Sequence, residues 1–277
     1  MNCTDLVKTA IAEDLGSSED ITTAFFIPKT RQGQARIFTK ESAILSGSEP
    51  ANEVLRQFHL NAHAQWFRND GDSLEPGQTI LQISGSLHAL LAAERTLLNF
   101  LQHLSGIATL TRRYVEKIAG TRAKILDTRK TLPGWRHLAK AAVKHGGGCN
   151  HRFGLYDQVL VKDNHLAALK NGKSDLKSII QQIRKQNPEI KIEMEAETLE
   201  QVAHFTTLPI DIILLDNMPI KILHEAVKQI AGRCQTEASG GITLETVRAI
   251  AETGVDFISV GALTHSVKAI DFSMEIL

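Results

Sequence analysis

Apolar positions follow two different periods along this chain. Leu6, Val7, Ala10, Ile11 and Leu15 recur at helical spacing behind Thr4, a suitable N-cap, and Gly16 closes the pattern, so a helix is expected over 5–15. From Gln34 to Gly47 the pattern turns to alternating and β-branched residues (Ala35, Ile37, Ala43, Ile44), which predicts strands, and Pro50 then opens a helix through about Phe58. Further strands are expected at 64–67 and 79–83, around the turn Asn69-Asp70-Gly71-Asp72. Leu87 to Ile118 reads as one long helix whose leucines are too many for a narrow stripe, so it is expected to be covered on most sides, in part by a second subunit. Ser105-Gly106 is expected to bend or interrupt it.

After Gly120 the period shortens. Apolar runs at 123–126, 158–161, 190–194, 212–215, 236–238 and 257–260 alternate with helical patterns at 136–145, 174–186, 198–205, 219–231 and 243–253. Strand and helix in alternation predict parallel β/α units. The residues after each strand are polar, charged or glycine: Asp127-Thr128-Arg129-Lys130, Lys162-Asp163-Asn164, Glu195, Asp216-Asn217, Ser239-Gly240-Gly241 and Gly261. Carboxyl ends of parallel strands are where barrels and doubly wound sheets build their sites, and either architecture fits the pattern. Six strands are fewer than the eight of the common barrel, which suggests an incomplete barrel or strands missed by the pattern.

Composition narrows the partners. The chain has 277 residues, with Lys+Arg and Asp+Glu both at 31, so no overall field favours nucleic acid or an acidic membrane. No apolar run approaches the length of a membrane span, and Met1 to Asp5 lacks a basic leader. Cys3, Cys149 and Cys234 are scattered without a CxxC pair, which argues against a disulfide framework or a zinc site. A cytoplasmic location is expected.

The chemistry is concentrated between Asp127 and Lys162. Arg129, Lys130, Arg152 and Lys162 sit in turn signals beside short apolar runs, and if they converge they repel one another unless an anion lies between them. With His151 they suit an anion bearing more than one acidic group. Glu195 and Asp216 suit sugar hydroxyls or Mg²⁺, and the glycines of Ser239-Gly240-Gly241 and Gly261 open backbone N–H groups to phosphate. Each element alone has a structural explanation. Gly146-Gly147-Gly148 reads equally as a flexible turn and is not a P-loop, His151 alone as a structural histidine, and Arg95 as the ion-pair partner of Glu94. Glu193, Glu195 and Glu197 share one face of a strand. Burying three like charges there is costly, so the strand is expected to end near Glu195 and release Glu197 into a helix cap.

Asp127-Thr128-Arg129-Lys130-Thr131, Gly146-Gly147-Gly148 with Asn150-His151-Arg152, Lys162-Asp163-Asn164-His165, Leu215-Asp216-Asn217-Met218 and Ser239-Gly240-Gly241-Ile242, in this order, closely resemble the quinolinate phosphoribosyltransferases. The resemblance runs from Glu13-Asp14-Leu15-Gly16 to Gly261-Ala262-Leu263-Thr264-His265-Ser266. It implies an α/β fold of the type II phosphoribosyltransferase kind. An N-terminal α/β sandwich with a dimer-contact helix would occupy 1–104 and an incomplete β/α barrel 105–277, with C-terminal residues able to pack back on the first domain. It also implies a homodimer with shared sites. By the same resemblance Arg129, His151, Arg152 and Lys162, with Thr128 and with Arg95 from the partner subunit, hold quinolinate. Lys130, His265, Ser239, Gly240, Gly241 and Gly261 lie near the phosphates of phosphoribosyl pyrophosphate. Glu195 and Asp216 lie at its ribose hydroxyls and Mg²⁺, and Lys130, Glu195 and Asp216 form the catalytic group. The activity implied is transfer of phosphoribosyl to quinolinate with loss of CO2, giving nicotinate mononucleotide and pyrophosphate. Ser17-Ser18-Glu19 and Cys149 depart from the family pattern. A barrel protein associated with molybdenum transport shares the Asp-Thr-Arg-Lys-Thr motif but departs from Lys-Asp-Asn-His, and a non-catalytic dicarboxylate or phosphate binder is the remaining alternative.

Overall fold

The computed structural model describes residues 2–60, 63–169 and 175–277. In chain order the first elements are α1 (Cys3–Leu15), α2 (Ile21–Phe26), β1 (Gln32–Thr39), β2 (Ala43–Ile44), α3 (Ser48–Gln57), β3 (Ala64–Trp66), β4 (Ser73–Leu74), β5 (Thr79–Ser86) and α4 (Leu87–Lys117). Next come β6 (Lys124–Leu126), α5 (Arg136–His145), β7 (Val159–Val161), α6 (Asp163–Leu169), α7 (Leu176–Gln186), β8 (Ile192–Ala196) and α8 (Leu199–Phe205). The chain ends with β9 (Ile212–Asp216), α9 (Ile220–Ile230), β10 (Gln235–Ser239), α10 (Val247–Glu252), β11 (Phe257–Ser259), α11 (Ala262–His265) and β12 (Phe272–Ile276). The expected helix over 174–186 is present from Leu176, and Ser174 lies outside the described residues.

Two compact units result. The first comprises residues 1–112, 131–147 and 262–277, and the second 113–130 and 148–261. In the first unit an antiparallel sheet runs β12-β1-β5-β3. Its period-2 alternation buries Ala35, Ile37 and Thr39 of β1, with Ala35 opposite Ile83 of β5.

Three local expectations for this unit are corrected. Asn2, not Thr4, caps α1, its Oδ1 accepting the Asp5 N–H at 2.8 Å. The third helix starts at Ser48, ahead of Pro50, because Asp70 caps it from the turn and accepts from Ser48 Oγ at 2.7 Å. The Ser105-Gly106 pair does not break α4. Ser105 Oγ donates to the Ser46 carbonyl at 3.1 Å, and a Cβ on Gly106 would meet the Lys268 carbonyl at 2.5 Å, so this pair is where the helix docks its neighbours.

In the second unit six parallel strands run β6-β11-β10-β9-β8-β7. The first strand lies beside the last, and the others follow in chain order, which is a barrel with one pairing missing. A doubly wound sheet would reverse direction at a switch point, so that alternative is overturned. On the free side of β6, Cys149 makes one parallel bridge to Leu126 and bonds backbone to backbone with Ile125 and Asp127. The backbone at Cys149 therefore extends the sheet.

Candidate active site

Parallel pairing explains how the acidic residues come together. Paired residues on neighbouring strands point the same way. Glu195 of β8 and Glu237 of β10 both pair with Leu214 of β9, and Asp216 pairs with Ser239. One face of these strands therefore carries Glu193, Glu195, Asp216, Glu237 and Ser239.

Glu195 lies inside β8, which runs to Ala196 and not merely to Met194. The strand thus ends one residue after Glu195 and releases Glu197 as expected, although the cap residue is its neighbour Thr198. Thr198 is the N-cap of α8 in a full capping box, and the Gln201 side chain accepts the Glu197 N–H at 2.7 Å. One carboxylate oxygen from each of Glu195, Glu197 and Asp216 falls within 4.8 Å of the others. That hard, anionic donor set fits a divalent cation such as Mg²⁺. Burial, tempered by Lys162 at 4.0 Å, and repulsion from Asp216 raise the Glu195 carboxyl above its ordinary range. The acids are crowded as they stand.

The basic residues gather on the neighbouring loops. Thr128 Oγ1 accepts the Lys130 N–H at 3.1 Å and folds 128–130 into a tight turn at the end of β6. Buried Asp127 accepts the His151 N–H at 2.8 Å and anchors the following segment. Arg152 donates to the Gln158 carbonyl at 3.1 Å, and Asp157 ties down the N–H groups of Phe153 and Gly154 at 2.6 and 2.7 Å. Burial first, and then the charge of Arg129, lower the Arg152 guanidinium below its ordinary value, and the Arg129 Nε is buried with no hydrogen-bond partner. Two guanidiniums that repel each other, with a buried donor left over, suit an anion between them.

His151 sits against two acids. Its Nε2 lies 3.2 Å from Glu193 and 3.5 Å from Glu237, both essentially inaccessible to solvent. Burial opposes charge on the ring, but hydrogen bonds and charge from Glu193 and Glu237 raise it to about 10. Burial lifts Glu193 to about 7, with the His151 hydrogen bond opposing and Glu237 adding to the rise. The Arg152 N–H points at Nδ1 from 2.7 Å, which places the ring proton on Nε2, toward the carboxylates. A ring protonated at both nitrogens would set two N–H groups against each other. The proton excess therefore belongs to His151 Nε2 and Glu193 together, beside the charge of Glu237, and not to the ring alone.

Ser239, Gly240 and Gly241 close the far side of β10, with φ +98° and +59° at the two glycines. Gly261 follows β11. All of these groups belong to the second unit; Arg95 and His265 belong to the first. Arg95, on α4, is 59% exposed and approaches Glu94 only to 4.0 Å, and His265 bonds its neighbour Ser266 at 2.6 Å. Gly146 is no flexible turn, since a Cβ there would lie 2.6 Å from the Thr111 Cβ. Asp127, Gln158, Glu193, Glu237 and Asn217 carry no site role in the sequence reading. The available signal for Glu193 and Glu237 was a carboxylate inside a short strand of the parallel sheet.

Comparison with known proteins decides what this arrangement belongs to. The family model described as quinolinate phosphoribosyl transferase, C-terminal domain, matches residues 107–275, and the N-terminal domain model matches 20–105. The chain belongs to the quinolinate phosphoribosyltransferase family. It is 42% identical to the chloroplastic nicotinate-nucleotide pyrophosphorylase (carboxylating) of Arabidopsis thaliana, over 98% of this chain and 82% of that one. With the Mycobacterium leprae protein of the same name, identity is 40% over 98% and 96%. A crystal structure of nicotinate-nucleotide pyrophosphorylase from Ehrlichia chaffeensis aligns with TM-score 0.92 and 36% identity, covering 100% of this chain and 99% of that one. The fold expected from the motifs, a sandwich with an incomplete barrel, is the fold of this family. Among the described residues no helix is long and apolar enough to cross a membrane.

Proposed function

We propose that the protein transfers the phosphoribosyl group of phosphoribosyl pyrophosphate to quinolinate, releasing pyrophosphate and CO2 and forming nicotinate mononucleotide. The observation that carries this reading is the pair Arg129 and Arg152, whose mutual repulsion and buried, unpartnered Nε are relieved by an anion. Quinolinate supplies two carboxylates on a flat ring, which suits planar guanidinium forks. Lys162 and Thr128 stand at the neighbouring strand ends, and His151 forms part of the floor. Across the mouth, Glu195 and Asp216 face a ribose whose C1 gains positive charge as pyrophosphate departs. Lys130 and the N–H groups of Ser239-Gly240-Gly241 and Gly261 meet its phosphates. Bound Mg²⁺, held by Glu195 and Asp216 with Glu197 in reach, would neutralise pyrophosphate charge. The pyridine nitrogen bonds to C1, and the ring, now cationic, accepts the electron pair left when the adjacent carboxylate leaves as CO2.

The roles of Arg95, as a quinolinate ligand from a partner subunit, and of His265, near phosphate, rest on the family resemblance alone. A homodimer accords with Phe25 and Phe26 of α2, 84% and 80% exposed in the single chain. Incubation with quinolinate, phosphoribosyl pyrophosphate and Mg²⁺ tests the reading. An enzyme releases CO2 and nicotinate mononucleotide, whereas a protein that only shows thermal stabilisation by the ligands is a binder.

A further inference from the structure

The residue after Asp216 has an unusual conformation. Asn217 has φ +52°, in the left-handed region that costs most residues energy but that asparagine tolerates. Its backbone N–H donates to the Ser239 carbonyl at 2.9 Å, so the turn leaving β9 is fastened to the end of β10. Its side-chain amide donates to Asp216 Oδ2 at 2.6 Å. A carboxylate only accepts, which fixes which end of the amide faces it. The other end of the amide lies against Gly240, where a Cβ would come within 2.5 Å of the Asn217 Cγ and 3.0 Å of its N. Gly240 also has φ +98°, so side chains are disfavoured there by both space and backbone.

We infer that Asn217 is a positioning residue that occupies one oxygen of Asp216, leaves the other to face the cation and ribose, and sets the path of the Gly240 loop. It thus fixes the separation between the carboxylate side of the sugar site and its phosphate side. This rests on the function proposed above. Strain alone would not need an amide, because glycine adopts this conformation freely. The amide contributes two contacts that glycine lacks, one to each half of the site.

The test is made on full-length protein, after the wild type has shown turnover; a wild type without turnover refutes the proposed function and not this positioning role. Asn217→Gly keeps the backbone conformation and removes the amide. It is expected to stay folded, to bind quinolinate as the wild type does, and to lose roughly tenfold or more in Mn²⁺ affinity, measured calorimetrically without substrates. Its KM for phosphoribosyl pyrophosphate should rise similarly. A merely structural role would lower thermal stability and leave both quantities unchanged. Mn²⁺ affinity and KM both within about twofold of wild type would overturn the inference, since a lost outer-shell partner costs more than that. The coupling to the loop is read separately. Gly240→Ala alone should raise KM for phosphoribosyl pyrophosphate, and combining it with Asn217→Gly should add less than the sum of the single losses. Strict additivity would refute the link between Asn217 and the loop.

Discussion

Glu237 reaches the Nε2 of His151 only at 3.5 Å, the outer limit of a hydrogen bond, and both of its oxygens are buried with no closer polar partner among the described residues. Glu193 shares that histidine and gains only the Gln158 amide, at 2.6 Å. Two carboxylates around one ring cannot all be charged in so enclosed a place without a net negative charge, and the cluster draws protons to compensate. The consequence for stability has a definite sign. The site at His151, raised to about 10 from an ordinary 6.5, holds the cluster's extra proton in the folded state, so that contribution is complete below 6.5 and lost as pH rises toward 10. Glu193, raised to about 7 from 4.5, favours the folded state least once pH passes 7. Both predict that unfolding free energy falls from mildly acidic to alkaline pH. Glu237→Gln removes one of the repelling charges and should flatten that slope. Urea unfolding across about pH 5 to 10 measures it, and equal slopes in the two proteins would contradict the shared-proton account.

Removal of one guanidinium should have opposite effects on binding and folding. Arg152→Ala takes away a charge-assisted contact of about 1.5–3 kcal/mol, so quinolinate affinity should fall by roughly tenfold to a hundredfold. The ligand-free protein loses the repulsion with Arg129 and should be no less stable. Isothermal titration beside thermal unfolding separates the two effects. Undiminished quinolinate affinity in a folded variant would remove Arg152 from the receptor.

Much of this was legible in the sequence, for physical reasons. Most barrel strands show because buried parallel strands are short apolar runs, β10 with its Gln-Thr-Glu-Ala-Ser being the exception, and the site shows because strand ends turn polar. Strand order did not show: the placement of β6 beside β11 depends on contacts far apart in the chain. In the sequence His151 stands among cations and reads alone as structural, with a place at the anion only by resemblance. Its neighbours in space, Glu193 and Glu237, come from other strands. The capping of α3 by Asp70 escaped for the same reason, since the partner is outside the helix.

Sharing of active sites between subunits has a genetic signature. Arg95 is solvent-exposed on α4 and holds Glu94 only loosely, which leaves its guanidinium free to serve another chain. Arg95→Ala and Lys130→Ala should each abolish turnover alone. Mixed dimers place both lesions in one hybrid site and neither in the other, so activity should return toward one quarter of wild type, as in a statistical mixture with half hybrids and one intact site in each. Mixing the purified variants under exchange conditions, with mass spectrometry to confirm hybrids, measures this. Confirmed hybrids without activity would place Arg95 and Lys130 in the same chain's site or in none.

Protons and the divalent cation should compete at Glu195. Its carboxyl is raised by burial, with Lys162 opposing, and by the proximity of Asp216, so the group takes up a proton at higher pH than an ordinary carboxylate does. Protonated Glu195 is a poor cation ligand. Turnover at limiting phosphoribosyl pyrophosphate should therefore fall as pH drops through this raised value, and the fall should move to lower pH as Mg²⁺ is increased, because bound cation holds the carboxylate ionised. Glu195→Gln cannot titrate at this position, so its residual activity should need more Mg²⁺ at every pH and lose the linkage between the acid limb and Mg²⁺ concentration. Initial rates over a grid of pH and Mg²⁺ resolve the two behaviours. An acid limb in the wild type that stays fixed while Mg²⁺ varies over about a hundredfold would show that another group controls it.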